Sequence, residues 1–485
     1  MISAPPGYRP STAHAGLGEG YYDAVEAAAF PETILRYRNQ RWAAHVGLGS
    51  LSDEQWLAHF GRFEPLPDNL EQPLALRYHG HQFRVYNPDL GDGRGFLFAQ
   101  LIDDAGRLLD LATKGSGTTP YSRGGDGRLT LKGGVREVLA AAMLEAQGVG
   151  TSKAFSLIET GEALHRGDEP SPTRASVLVR LSHSHIRIGT FQRLMVENDA
   201  PRIMKLVAHC QRFYLDDMPR TDDAARPAAF LEAVTRRVAR LGAEWTAAGF
   251  VHGVLNTDNI NITGESFDYG PYRFLPTYQP GFTAAYFDQS GLYSFGRQPG
   301  TLLWNLQRLA ECLLLVSPLE PLEAALKLFE PCFHAALRLC LLRRLGLKPA
   351  GDEQDETLVG TLFGFLHGAQ APFEQAMFDF AGGPARLGRL AASPAAEHYR
   401  GEPFDRLKGL LAAYQPSGDL ALDDAVFSAP APCSLLYDDI EALWAPIAEH
   451  DDWSLFADKL ASIEAMRVAY GFSGVTNPPL AAQKG

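Results

Sequence analysis

Cysteine is scarce in this chain: five among 485 residues (Cys210, Cys312, Cys332, Cys340 and Cys433), with no C-x-x-C pair. That argues against a disulfide framework and a thiolate zinc site, and a reducing cytoplasm fits best. Positive charge is also short. Lys and Arg number 44 against 57 Asp and Glu, a net charge of −13. A generally basic nucleic-acid binder is excluded on that balance, although a local basic pocket is not. No stretch reaches the ~20 apolar residues that cross a bilayer; the most apolar piece, around 309–316, is broken by Glu311 and Pro318. The opening MISAPPGYRPSTAHAG lacks the basic start and apolar run of a secretion signal. Repeats and low-complexity tracts are missing as well. A soluble globular protein is expected, with neither nucleic acid nor membrane as partner. What is plentiful is core material: 46% of residues are apolar, in a chain long enough for about three domains at ~150 residues each.

Along the chain, residues 20–60 read as helices, with Tyr22, Val25, Ala28 and Phe30 spaced roughly for one face and Pro31 as punctuation. From about 70 to 135 Gly and Asp become frequent between short apolar runs. FLFAQLID (96–103), DAGR and LLDLATKG (108–115) predict a two-stranded hairpin. LKGGVREVLAAAMLEAQ (131–147) predicts a helix ended by Gly148. Residues 154–160 and 174–188 read as further strands. Beyond 200 the pattern turns helical, over 201–216, 225–248, 301–317 and 320–346, interrupted by a loop-rich island at 251–300. Residues 350–485 read as helix with acidic loops and a Gly/Pro tail. The expected division is a helical extension (1–70), a β-rich nucleotide-binding lobe (71–200), a helical catalytic lobe (201–350) and a helical C-terminal region (351–485). A cleft between a β-rich and a helical part suits ligand binding.

Several motifs carry chemistry. GDGRG (91–95) precedes a strand, and its glycines allow backbone N–H groups to approach a phosphate, with Arg94 adding charge. Taken alone, an ordinary tight turn is the stronger reading. Lys114 ends a strand, and Glu137 follows 23 residues later inside a helix. Protein kinases hold an ammonium against nucleotide phosphates in that order, whereas two solvated side chains are the plain alternative. YSRGGDGRL (121–129) offers Asp126 and Gly127 for a phosphate or ribose, or for a turn.

The most specific stretch is HGVLNTDNINITGESFDYG, His252 to Gly270. Kinase-like chains place His-Gly/Arg-Asp, four residues, then Asn, and later an Asp before Phe-Gly. Here His252, Gly253 and Asn259 keep that spacing, and Asp268-Tyr269-Gly270 stands for the triplet. Asn259 and Asp268 are oxygen donors of the kind Mg²⁺ takes. Val254 fills the slot of the kinase base and cannot accept a proton; Asp258 is the nearest replacement. Arg180 and Arg187 frame RLSHSHIR. Their odd spacing puts them on opposite faces of a regular strand, so a bend between them is required to bring both to one phosphate. His79, His81, His183 and His185 invite a zinc reading, but no third ligand has the spacing for it.

These stretches together resemble the selenoprotein O family of protein adenylyltransferases, also called YdiU. The carriers are YHGHQFRVYNPDLGDGRG, DLATKGSGTTPYSRGGDGRLTLKGGVRE, RLSHSHIRIGTF and HGVLNTDNINITGESFDYGPY, across about residues 71–315. The resemblance implies an α+β, protein-kinase-like two-lobed fold with a β-rich N-lobe, a helical C-lobe and helical extensions. It implies Mg²⁺-dependent AMP transfer from ATP to Ser, Thr or Tyr hydroxyls of proteins, with ATP reversed relative to kinases; Mn²⁺ is accepted by the same oxygen donors. Asp258 would then be the proton acceptor and Asn259 and Asp268 the metal ligands. Gly91, Gly93, Arg94, Lys114, Asp126, Gly127, Arg180, Arg187 and Asp268 would face the nucleotide, with Glu137 orienting Lys114. Uridylyl transfer, an unusual kinase and a catalytically silent nucleotide-binding scaffold are the alternatives on the same fold. The family's cysteine or selenocysteine near the C-terminus has no counterpart here, the last being Cys433. The region from about 350 also departs from the family's asparagine- and proline-rich segment.

Overall fold

The computed structural model describes residues 7–472 apart from residue 168. The chain folds as α+β, a largely antiparallel sheet followed by a long helical part. The DAGR turn joins strands Leu97–Ile102 and Leu108–Lys114, paired as expected. Outward from that hairpin the sheet runs Leu74–Leu76 and Tyr22–Ala24 on one side, then Thr173–Ser182, Lys153–Leu164 and Ile34–Arg38 on the other.

Residues 20–38 therefore do not form the expected helix. Tyr22 lies opposite Leu76, and Leu35 lies opposite Ile158, so this segment supplies both edges of the sheet. Its loose helical spacing loses to the main-chain hydrogen bonds those edges offer. Helices start only at Gln40–His45 and Asp53–Phe60. The latter is capped by Ser52, which accepts from Gln55 N while Gln55 reaches back to Ser52 N. These two helices lay Trp42, Trp56 and Phe60 on one face of the sheet, against Phe98, Phe155 and Val179. Two further expectations need adjustment. The strand foreseen over 174–188 stops at Ser182. The helix foreseen over 320–346 divides into Leu319–Lys327 and Phe329–Leu345. The Gly/Pro tail lies outside the described residues.

The Leu131–Ala146 helix covers the sheet's other face. Thr130 caps it by accepting from Gly133 N at 3.1 Å, and it ends before Gly148, whose φ is 79°. At Gly134 a Cβ would overlap Leu157, so glycine lets the helix press close onto the sheet. That approach brings Glu137, one turn on, to the strand that ends in Lys114. Val135, Val138 and Leu139 continue into the main core with Leu178, Phe191, Trp245 and Leu306, and this core runs on through the helical part. Among the described residues no helix is long and apolar enough to cross a membrane.

Candidate active site

Pairing in the sheet sets the first two cations. Leu178 stands opposite Lys114 and Arg180 opposite Ala112, so the lysine and the arginine project from one face as diagonal neighbours. On that face Glu137 meets the Lys114 ammonium, and Lys114 Nζ also reaches Asp268 Oδ1 at 2.5 Å. Arg180 adds a second contact to the same oxygen at 3.2 Å. Burial alone would push the Asp268 carboxyl up, but Lys114, Arg180 and Arg94 outweigh it and hold Asp268 well below the ordinary carboxylate range. His252 fixes this loop from behind: its Nε2–H donates to the Phe267 carbonyl at 2.9 Å.

The strand's end at Ser182 provides the bend between Arg180 and Arg187. The chain turns through 183–186, and Arg187 precedes the Ile188–Val196 helix. Its guanidinium donates to the Asp258 carbonyl at 3.0 Å and to Asp92 at 3.2 Å, and it stacks on Tyr78 at 4.3 Å. Asp258 sits in the short turn Thr257–Asn259. Burial raises its carboxyl to about 6, against the pull of Arg187, and its Oδ1 is buried without a hydrogen-bond partner. A buried carboxylate with one free oxygen and a pKa near neutrality is equipped to take a proton. Asn259 donates Nδ2 to the Val254 carbonyl at 3.0 Å, which fixes the amide and leaves its Oδ1 for another partner. With Asp268 it gives two oxygen donors. That is a fitting set for Mg²⁺, which fills its remaining positions from phosphate and water.

Ten of the twelve expected site residues line one cavity of about 740 Å³: Gly91, Gly93, Arg94, Lys114, Asp126, Gly127, Arg180, Arg187, Asp258 and Asp268. Glu137 stands behind Lys114, and Asn259 beside Asp258. The same cavity holds residues the motifs did not single out: Asp92, Arg123, Arg128 and Arg166. The first three lay inside the glycine-rich stretches 91–95 and 121–129. Arg166 had no local signal, because it arrives from the far end of the Lys153–Leu164 strand. Among the described residues, seven cationic side chains face four carboxylates in this cavity. Several are already paired, Asp126 with Arg166 at 2.8 Å and Arg128 with Glu162 at 2.8 Å. Arg94 and Arg123 are exposed, and among the described residues no carboxylate forms a direct ion pair with either, although Arg94 acts on Asp268 from further off. An excess of positive charge is what a polyphosphate needs. A second cavity of about 650 Å³ lies beyond Thr263–Glu265, and three of its four arginines are matched, Arg107 with Asp103, Arg237 with Asp217 and Arg240 with Glu244, while Arg343 stacks on Phe472.

The glycines of 91–95 have a further reason. A Cβ at Gly91 would overlap the Tyr121 ring, and one at Gly93 would lie 2.8 Å from the Tyr121 carbonyl. They let segment 119–122 lie on the turn, held by Ser122 Oγ donating to the Gly93 carbonyl at 2.5 Å. Gly91→Ala is expected to cost about 1–3 kcal/mol of stability, read as a lowered urea midpoint. It is also expected to weaken polyphosphate binding in the cavity, since Tyr121 anchors the loop that carries Arg123.

Two of the four histidines in the weak zinc pattern have other ring partners. His79 Nδ1 meets the Tyr86 hydroxyl at 2.6 Å, and His81 Nδ1 meets Gln192 at 2.7 Å. Among the described residues no group of three or more His, Cys, Asp or Glu side chains gathers for a metal.

Compared with known proteins, residues 8–464 match the family described as "Protein adenylyltransferase SelO". A "Protein nucleotidyltransferase YdiU" of Synechocystis sp. is 45% identical over 469 residues, covering 93% of this chain and 96% of its own. The protein of that name from Trichormus variabilis is 43% identical, covering 93% and 94%. That of Vibrio cholerae is 36% identical over 353 residues, covering 73% and 70%.

Proposed function

The chain belongs to the SelO family of protein nucleotidyltransferases, and from that premise we propose that it transfers AMP from ATP to hydroxyl side chains of proteins. In this reading the sheet and the helical part are the two lobes of a protein-kinase-like fold, and ATP lies reversed in the cleft between them. One observation carries the reading: the kinase base position is Val254, while a buried carboxylate, Asp258, lies in the same cavity as Lys114, Arg180, Arg187 and Asp268.

A γ-phosphoryl transfer needs its base in the slot that valine fills. With ATP reversed, the α-phosphate faces the acceptor and the base belongs elsewhere. Asp258 takes the proton from the acceptor hydroxyl, whose oxygen bonds to the α-phosphorus as the bond to the β-phosphate oxygen breaks. Pyrophosphate leaves, its charge met by Lys114, Arg180 and the unpaired Arg94 and Arg123. Glu137 keeps the Lys114 ammonium on the cleft side of the strand. Mg²⁺ on Asn259 and Asp268 would supply further neutralisation of the leaving group. The five cysteines are all free thiols, which supports a reducing cytoplasm.

Intact mass spectrometry after incubation with ATP and Mg²⁺, using the protein and candidate acceptor proteins as targets, tests the reading. An AMP-sized addition is the expected result. A phosphate-sized addition would establish kinase chemistry instead. A UMP-sized addition that appears with UTP and outpaces the ATP product would reassign the nucleotide. ATP binding without any addition would leave a scaffold.

A further inference from the structure

The hairpin Gly80–Gln82/Val85–Asn87 is fastened to the Asp258 turn. His81 N donates to Thr257 Oγ1 at 2.7 Å, and Phe83 N donates to Asn256 Oδ1 at 3.1 Å and to the Tyr293 hydroxyl at 3.1 Å. At Gly80 the hairpin backbone lies against the carboxylate itself: a Cβ there would sit 3.0 Å from Asp258 Oδ1. At the hairpin's tip two consecutive non-glycine residues take left-handed backbone, Phe83 with φ 48° and Arg84 with φ 65°. Strain of this kind persists where surrounding contacts enforce it, and it clusters at functional sites. Here the contacts come from the turn that carries the proton acceptor.

What the strained tip presents is apolar and open. Val85 is 71% exposed and Phe83 36%, and beside them the loop after Phe282 contributes Tyr286 at 82% and Phe287 at 47%. Phe83 and Phe287 lie 5.9 Å apart, and Tyr286 and Phe287 5.1 Å, between ring centroids. Arg84 borders the group, its guanidinium 5.5 Å over the Trp304 ring. A contiguous exposed apolar patch is a mark of an interaction surface, and aromatic side chains with arginine are the usual anchors of one.

We propose that this patch docks the acceptor protein, gripping a large apolar side chain a few residues from the hydroxyl that is modified. The proposal rests on the nucleotidyl-transfer reading and names the acceptor's recognition feature. Continuity with the reacting group selects this occupant, because an extended acceptor strand laid along the hairpin passes from Asp258 to the patch. Gly80 and Phe83 are three residues apart, roughly 10 Å of extended chain. The acceptor's apolar side chain therefore belongs about three residues from its hydroxyl.

The test is a degenerate peptide library with a fixed central Ser, Thr or Tyr, labelled from ATP carrying its label on the α-phosphate. The wild-type protein is compared with Val85→Ser/Tyr286→Ser, two changes at exposed positions. The expected wild-type products are enriched in aromatic or large aliphatic residues at one position about three from the hydroxyl. The double variant is expected to lose at least tenfold in kcat/KM on those peptides through KM. Its KM for ATP and its labelling of peptides without the apolar residue stay unchanged. Uniform labelling across the library, or a variant with wild-type selectivity, overturns the proposal. A wild-type dimer that the double variant converts to monomer in sedimentation also overturns it, assigning the patch to self-association. If wild type labels no peptide and gains no AMP-sized mass, the transfer reading itself fails and takes this one with it.

Discussion

Asp258→Asn is expected to lower AMP transfer by about 10²–10⁴-fold, the usual contribution of a positioned general base, while ATP binds as before. The substitution keeps the side chain's volume and removes only its ability to hold a proton. Asp258 receives no ion pair that the change would break; Arg187 touches its backbone carbonyl rather than its carboxylate. Its buried Oδ1 lacks a partner, so an amide there disturbs no hydrogen bond. The measurement is single-turnover labelling from ATP beside the equilibrium binding of ATP to the same preparation. Wild-type transfer in the variant would remove Asp258 from the mechanism. Loss of ATP binding together with transfer would make it a nucleotide ligand instead.

The second large effect is at Lys114. Lys114→Met is expected to cost about 3–5 kcal/mol, the penalty for leaving one member of a buried ion pair uncompensated. Glu137 is 3% exposed and would lose its ammonium partner in the core beneath the sheet. Urea unfolding should show the loss, and ATP binding should vanish. Adding Glu137→Leu separates the two roles. The double variant is expected to regain most of the stability, because the orphaned carboxylate is gone, but none of the binding. A single variant as stable as wild type would mean that Asp268 and Arg180 alone organise this face. A double variant that binds ATP would mean that Lys114 serves the fold only.

How far the sequence anticipated these residues depends on how local their signals were. The hairpin 97–114 and the helix 131–146 carry their own turn, cap and stop, all within a few residues, so both were legible. The segment 20–38 was not. Its strands have no alternation of their own and exist because partners elsewhere in the chain accept them, as Leu76 accepts Tyr22. At the site, the glycine-dense motifs and the 252–270 stretch led to seven of the ten cavity residues because they join unusual spacing to reactive side chains, and the strand lysine Lys114 was found through its order before Glu137. Arg180 and Arg187 were half legible: the parity of their spacing demanded a bend, and the strand does end at Ser182. Arg166 was illegible, since only the sheet's geometry carries it to Asp126. For the glycines of 91–95 a tight turn is the stronger reading of the residues alone and phosphate contact is what the resemblance implies, and the Tyr121 segment occupies part of the room they leave.

The two outer strands contributed by residues 22–38 have a consequence for synthesis on the ribosome. Leu35 leaves the tunnel well ahead of its partner Ile158, which is made roughly 120 residues later, about 6–25 s at 5–20 residues per second. Throughout that interval Ile34–Arg38 has the Asp53–Phe60 helix beside it but no strand to pair with, and the sheet it will close does not yet exist. Birth of the cavity is thus delayed until the Lys153–Leu164 and Thr173–Ser182 strands emerge.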